Sequence, residues 1–159
     1  MAKAKTQDAI ALLTEDHRKV ESIFTKFKKL KDQDKDEKAE LVKQVCTELK
    51  IHAQLEEEVF YPAVRESIEE DLVDEAEVEH STVKQLVEEL EAMEPGDDLY
   101  DAKVQVLSEY VEHHVEEEES EMMPKAKRAK VDVDALGEEL MLRKKELQQE
   151  MGAQSRAAE

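Results

Sequence analysis

The sequence predicts an all-α protein: an up-down-up-down antiparallel four-helix bundle with an additional C-terminal helix. Three features lead there. The 159-residue chain is 41% charged yet has three glycines, three prolines and no tryptophan, a composition of helix formers. Apolar residues recur at spacings of three and four through four long segments, the period of a helix with one buried face. The connections between those segments are short, which makes successive helices antiparallel neighbours.

The first helix is expected over 7–31, where Ile10, Leu13, Val20, Phe24 and Phe27 fall on one stripe. The second covers 35–66 with Leu41, Val45, Leu49, Val59 and Ala63 in phase. The third covers 70–93 with Val73, Ala76, Val83, Val87 and Leu90, and the fourth 98–122 with Val104, Leu107, Val111 and Met122. DQDKD at 32–36, RESIEED at 65–71 and EPGDD at 94–98 carry the turn chemistry between them. Pro62 and Pro124 fall late in helices two and four; each lacks an N–H, so a kink or a helix end is expected nearby. The bundle is assigned to residues 1–126.

Beyond Pro124, the basic run KAKRAK leads into VDVDALGEELMLRKKELQQEM. Leu136, Leu140, Leu147 and Met151 share a stripe there, behind Asp132 or Asp134 as N-cap. Residues 127–159 therefore read as a fifth helix ending in a frayed GAQSRAAE tail. This helix is expected to cap the bundle or to serve a protein partner.

A net charge of −19 leaves no basic face to displace phosphate counterions, so no nucleic-acid partner is expected. The N-terminal MAKAKTQDAI lacks an apolar stretch of signal-peptide length, and no segment is apolar enough to span a bilayer. Cys46, the single cysteine, excludes an internal disulfide and reads as a small helix residue. The expectation is a cytoplasmic protein without a membrane partner, monomeric or homodimeric.

The histidines carry the chemistry. His17, His52, His80 and His114 each continue the apolar stripe of a different helix, and Glu56 and Glu118 follow two of them by one turn. The midpoints of successive histidine pairs fall in or beside the three turns, so all four lie at one level of an antiparallel bundle. The chain also repeats: His80 follows His17 by 63 residues, while His114 follows His52 and Pro124 follows Pro62 by 62. Two helical hairpins related by an approximate twofold would each supply His plus His-x-x-x-Glu. His113 is then a flanking residue, and Glu116, Glu117 and Glu119 a solvated face. Glu21, four after His17, is a reserve ligand, because Lys84 occupies the equivalent place after His80.

Two buried carboxylates need compensation, each costing several kcal/mol without it. Two divalent ions supply that charge, and mixed imidazole and carboxylate donors suit iron, manganese or zinc rather than calcium. Two six-coordinate ions offer about twelve positions. Four histidines, two bridging glutamates and a bridging hydroxide or oxide fill about ten, leaving about two open for an exogenous ligand. No residue is assigned as catalytic. Tyr61 and Tyr110 read as core tyrosines that could also serve as electron donors near the centre.

DH at 16–17, HAQLEEEVFYP at 52–62, EH at 79–80 and HVEEEESEMMP at 114–124 resemble the hemerythrin-like, HHE cation-binding family, over roughly residues 8–126. The resemblance implies a four-helix bundle around two non-haem iron ions, with His17, His52, Glu56, His80, His114 and Glu118 as ligands. The tail DALGEELMLRKKEL is similar to a helix that often follows this domain in bacterial members. Oxygen-carrying hemerythrins have a further histidine where this chain has Lys84, and pair the helix-four histidine with an aspartate five residues on rather than Glu118. The open ligand set points away from reversible O₂ transport. It points toward binding or sensing of O₂, peroxide, NO or iron, and toward oxidative-stress responses. The alternatives are a peroxidase- or catalase-like enzyme that detoxifies H₂O₂, and a metal-free acidic interaction protein.

Overall fold

A computed structural model describes residues 7–158, with side chains through Gly152. Five helical rods account for the described residues. Helix α1 is Ala9–Lys28, opened by Asp8, whose Oδ1 accepts from the Ala11 N–H at 2.8 Å. Helix α2 is Lys35–Leu55, prolonged through a π-helical turn Glu56–Phe60 and a last turn Tyr61–Val64. Helix α3 is Glu70–Glu91. Helix α4 is Tyr100–Glu117, prolonged through a second π-helical turn Glu118–Met122 and a last stretch Met123–Arg128. Helix α5 is Val133–Ala158. The expected four-helix bundle with a C-terminal helix is what the chain forms.

A helix end near each proline is what the chain shows, at Val64 after Pro62 and at Arg128 after Pro124. In addition, each helix widens by one residue just before its proline. The Tyr61 N–H reaches back five residues to the Glu56 carbonyl, and the Met123 N–H does the same to Glu118. The wide turn relieves the clash of the proline ring with the carbonyl four residues earlier and absorbs the missing donor. The extra residue also shifts the helical phase. Phe60, Tyr61 and Val64 are therefore buried, whereas Val59 and Ala63, expected on the core stripe, are only partly covered. The same shift buries Met123 and Ala126 in α4, beside the expected Met122.

The core has two apolar halves. Leu13, Ile51, Leu55, Phe60, Tyr61, Val73, Ala76 and Met122 belong to one, and Val20, Phe24, Val45, Leu49, Val87, Leu107 and Val111 to the other. Each inward histidine lies between a residue of one half and a residue of the other, so the four form a polar layer across the bundle. Cys46 is packed in the second half, where burial pushes its thiol up to about 12, which makes it an inert packing residue.

Helix α5 completes the first half of the core rather than standing apart. Asp132 caps it through the Ala135 N–H at 3.1 Å, and Leu136, Leu140 and Leu147 pack with Leu13, Ile51 and Leu55. Each such leucine contributes about 1.5–3 kcal/mol of burial. Gly137 is required at the contact with the start of α1: a Cβ there would stand 2.1 Å from the Gln7 carbonyl oxygen. The helix continues to Ala158, through the described part of the GAQSRAAE stretch expected to fray; Glu159 lies outside the described residues. Among the described residues, no helix is long and apolar enough to cross a membrane.

Candidate metal centre

The polar layer gathers the residues that periodicity placed at one level. His17 comes from α1, His52 and Glu56 from α2, His80 from α3, and His114 and Glu118 from α4; all six are buried. The two π-turns begin at Glu56 and Glu118, so each glutamate keeps its place one turn after its histidine while the chain beyond is rephased.

Around Glu56 Oε1 stand His52 Nε2 at 3.1 Å, His80 Nε2 at 3.1 Å and His114 Nε2 at 3.7 Å. Glu118 reaches both sides of the layer: Oε1 is 3.2 Å from His17 Nε2, and Oε2 is 3.1 Å from His114 Nε2. Two groups result that can each hold an ion, His17–His52–Glu56–Glu118 and Glu56–His80–His114, with Glu56 common to both.

Tyr61 belongs to this layer too. Its hydroxyl donates to Glu118 Oε2 at 2.9 Å and lies 3.2 Å from His80 Nε2 and 3.3 Å from His114 Nε2. Burial, then the charges of Glu118 and Glu56, push the phenol well above its ordinary range and keep it a donor. The residue equivalent to Tyr61 in the second hairpin is Met123, so the two halves are not chemically identical.

A second ring of carboxylates aims the imidazoles. His52 Nδ1 is 3.2 Å from Asp16, His114 Nδ1 is 3.1 Å from Glu79, and His17 Nδ1 is 2.8 Å from Glu119. Glu57, at the place equivalent to Glu119, stands 3.9 Å from His80 Nδ1, too far for a hydrogen bond, and that nitrogen is buried without a partner. In the tautomer protonated on Nδ1, each ring presents the Nε2 lone pair to the centre, the arrangement by which outer carboxylates orient metal-binding histidines. Sequence reasoning left Glu119 on a solvated face and gave Asp16, Glu57 and Glu79 no role. The DH and EH dipeptides at matching places in the repeat were the available signal. Asp16 is held in turn by Lys144 Nζ of α5 at 2.6 Å. Burial favours the neutral Asp16 acid, yet His52 and Lys144 together hold its carboxyl below the usual range.

The donors fit a pair of cations. His17 Nε2, His52 Nε2, Glu56 Oε2 and Glu118 Oε1 are buried without a hydrogen-bond partner, although the oxygens and ring nitrogens lie close together. Unpartnered buried polar atoms are rare and costly. A cation between them satisfies all four at once. Without it, protons take that role. Burial alone would lower the His52 imidazole, but Glu56 and Asp16 push it up to about 10. Burial likewise works against Glu56 ionising, but His52 beside it holds the carboxyl well below its usual range.

The reserve residues divide. Tyr61 is in the layer, as described. Tyr110 is 44% exposed, so it is not a core residue; its stripe on α4 faces solvent along with Val106 and His113. Glu21 pairs with Arg18 at 2.7 Å on the outer face of α1 and is not a reserve ligand. His113 flanks the site from outside, 3.1 Å from Glu117. Above the layer lies a cavity of about 30 Å³, bounded by the four histidines and Asp16 and by Val20, Leu49, Ala53, Val83, Val111 and Val115. That is room for one small molecule.

The profile of the Hemerythrin HHE cation binding domain matches residues 8–126. A DNA nickase of Nostoc sp. is 31% identical over 154 residues, which are 96% of this chain and 42% of that protein. The chain thus spans less than half of that relative's length. The crystal structure of a Hemerythrin HHE cation binding domain-containing protein from Mycobacterium kansasii superposes with a TM-score of 0.82, covering 94% of this chain and 93% of that one at 22% identity. With a buried layer of histidines and glutamates able to hold cations, and a family match over most of its length, the chain belongs to the hemerythrin HHE cation-binding family.

Proposed function

We propose that the chain is a non-haem di-iron protein that binds or senses a small ligand such as O₂, peroxide or NO. His17, His52, Glu56, His80, His114 and Glu118 hold the two ions. The observation that carries this reading is the pair of donor groups sharing Glu56 directly beneath a small apolar cavity. When bound, a ferrous pair supplies electrons and open positions for a small oxidant. The chain's own part is to aim the Nε2 lone pairs of His17, His52 and His114 inward through the outer carboxylates and to keep bulk water out with the valines and Leu49. Tyr61 keeps a proton on the phenol oxygen at 2.9 Å from Glu118, ready for an anionic ligand or product.

That hydroxyl also favours the second reading, a peroxidase- or catalase-like activity on H₂O₂, because a proton donor inside the layer is what peroxide cleavage uses. The nickase activity named for the Nostoc relative is not assigned to this chain. More than half of that protein lies outside the match, and a chain of net charge −19 repels a phosphate backbone.

The test is anaerobic loading with ferrous ion, then separate mixing with O₂, NO and H₂O₂, followed by absorption. Val83→Phe, which fills the cavity from its wall, is expected to leave iron content unchanged and slow every response. Equal rates in both chains would overturn the cavity's role. Many turnovers of peroxide select the enzyme reading, and one equivalent consumed selects binding or sensing.

A further inference from the structure

The small cavity above the histidine layer opens on one side. Of the eleven residues that bound it, nine are buried, and Ala53 and Val83 alone are partly exposed. Both of these, with Leu49 and His80, also line a second space, a groove of about 390 Å³ between α2 and α3. Groove and cavity therefore share one thin wall.

The seam between α1 and α4, which the pseudo-twofold makes equivalent, is shut. The positions 62 or 63 residues away from Ala53, Ser81 and Val87 hold Val115, Arg18 and Phe24. Val115 and Phe24 are larger than their counterparts and buried. Arg18 spans the seam: its Nη1 donates to Glu21 Oε1 at 2.7 Å, and its Nη2 to Glu119 in the π-turn of α4. The same Glu119 meets His17 Nδ1 at 2.8 Å. At the α2–α3 seam, Ser81 stands in the place of the arginine and Lys84 in that of Glu21. Glu57, with no arginine across the seam, is 49% exposed and stays 3.9 Å from His80 Nδ1, which is buried without a partner. Smaller side chains and the loss of the ion bridge leave open on one side what is closed on the other.

We propose that the groove between α2 and α3 is the entrance through which small uncharged molecules reach the cavity over the histidine layer, with Ala53 and Val83 at its inner threshold. What an entering molecule meets there rests on the di-iron reading; the path itself does not. Leu49, Ala53, Val83 and Val87 give the groove an apolar floor. On its rim Lys50 and Glu77 are each paired, with Glu91 and Arg65, which leaves Glu57 and Glu88 against Lys84. An apolar path behind an acidic rim, on a chain of net charge −19, admits neutral molecules and holds back anions.

The experiment uses the full chain and the double variant Ser81→Arg/Lys84→Glu, which carries the α1–α4 bridge over to the open seam and changes no donor of the centre. Ferrous-loaded protein is mixed with NO in a stopped-flow instrument. The expected result is equal iron content and NO binding slower by about tenfold or more, because entry then waits on local opening of the seam. Equal rates in the two chains would overturn the inference. Azide binding to the oxidised centre should quicken as salt screens the rim; a rate that falls with salt would overturn the exclusion of anions. A second arm uses the metal-free chain under dissolved O₂, whose paramagnetism relaxes nearby methyl groups. Val87 lines the groove at 1% exposed, while Val45, 2% exposed in the same half of the core, lines neither space. Val87 should relax faster than Val45 in the parent and no faster in the variant. Equal relaxation of the two in the parent would overturn the groove as a path. A chain that takes up no iron yet shows this difference would overturn the di-iron reading and uphold the path.

Discussion

Lys144→Met tests whether α5 is wired to the histidine layer or merely packed on the bundle. Lys144 Nζ sits 2.6 Å from Oδ1 of Asp16, a carboxylate that is 5% exposed and whose Oδ2 orients His52. Removing a partner from a fully buried pair costs about 3–5 kcal/mol, because the remaining charge is stranded. Lys144 is 23% exposed, so solvent screens part of that loss. The range for a hydrogen bond to a charged group, about 1.5–3 kcal/mol, is the better guide. Methionine keeps the apolar stem, so the change isolates the ammonium. For a chain of this size about 2 kcal/mol lowers the thermal midpoint by about 4–8 °C. The reference is Arg143→Met, one residue away, whose partner Glu58 stands on the surface at 2.7 Å. Melts followed by circular dichroism should show the Lys144 variant clearly less stable than the Arg143 variant. Lys144→Arg should recover most of the difference. A Lys144 variant that melts with or above the Arg143 variant would refute the link from α5 through Asp16 to His52.

Other predictions follow from the same geometry. Tyr61→Phe keeps the packed ring but leaves Glu118 Oε2 without its donor, so the metal-free chain should lose about 1–3 kcal/mol in denaturant titration; an unchanged midpoint would mean the hydroxyl contributes nothing there. Leu140→Ala removes a fully buried side chain and should cost about 2–5 kcal/mol, with faster amide exchange along α5. In the metal-free chain His52 is raised from 6.5 to about 10, so its stabilising contribution is complete below about 6.5 and is lost as pH rises through about 10. Metal-free stability should therefore decline across that window. Metal affinity should rise over it, because the ligand imidazole must be neutral. Stability of the metal-free chain that increases from pH 6.5 to 10 would contradict this.

Much of the centre was legible because it obeys simple periodicities. One histidine on each apolar stripe, equidistant from the turns, and a repeat of 62–63 residues were enough to bring six donors to one level. The outer carboxylates were not legible for the opposite reason. With 42 acidic residues, most helix faces carry several, and spacing alone cannot tell Glu119 on His17 from Glu116 in water. The end of α2, with Tyr61, shows a second limit. A strict 3.6-residue period carried past Glu56 misplaces every residue after the π-turn by one position, so the stripe leads to Val59 and Ala63 instead of Phe60, Tyr61 and Val64. Proline marks such a site, yet its ordinary effect is to end or bend a helix, and only the backbone shows that this helix also widens. The role of α5 was half visible: its leucine stripe announced packing, while the ion pair from Lys144 to Asp16 spans 128 residues and left no local trace.

The most direct test of the account is the metal content of the full chain, reconstituted anaerobically with ferrous salt, beside a His52→Ala/Glu118→Ala double variant. The account predicts two irons per chain, an absorption change on admission of air, and loss of both in the variant. A chain that binds no iron, or a variant that holds two ions as firmly as the parent, would contradict it.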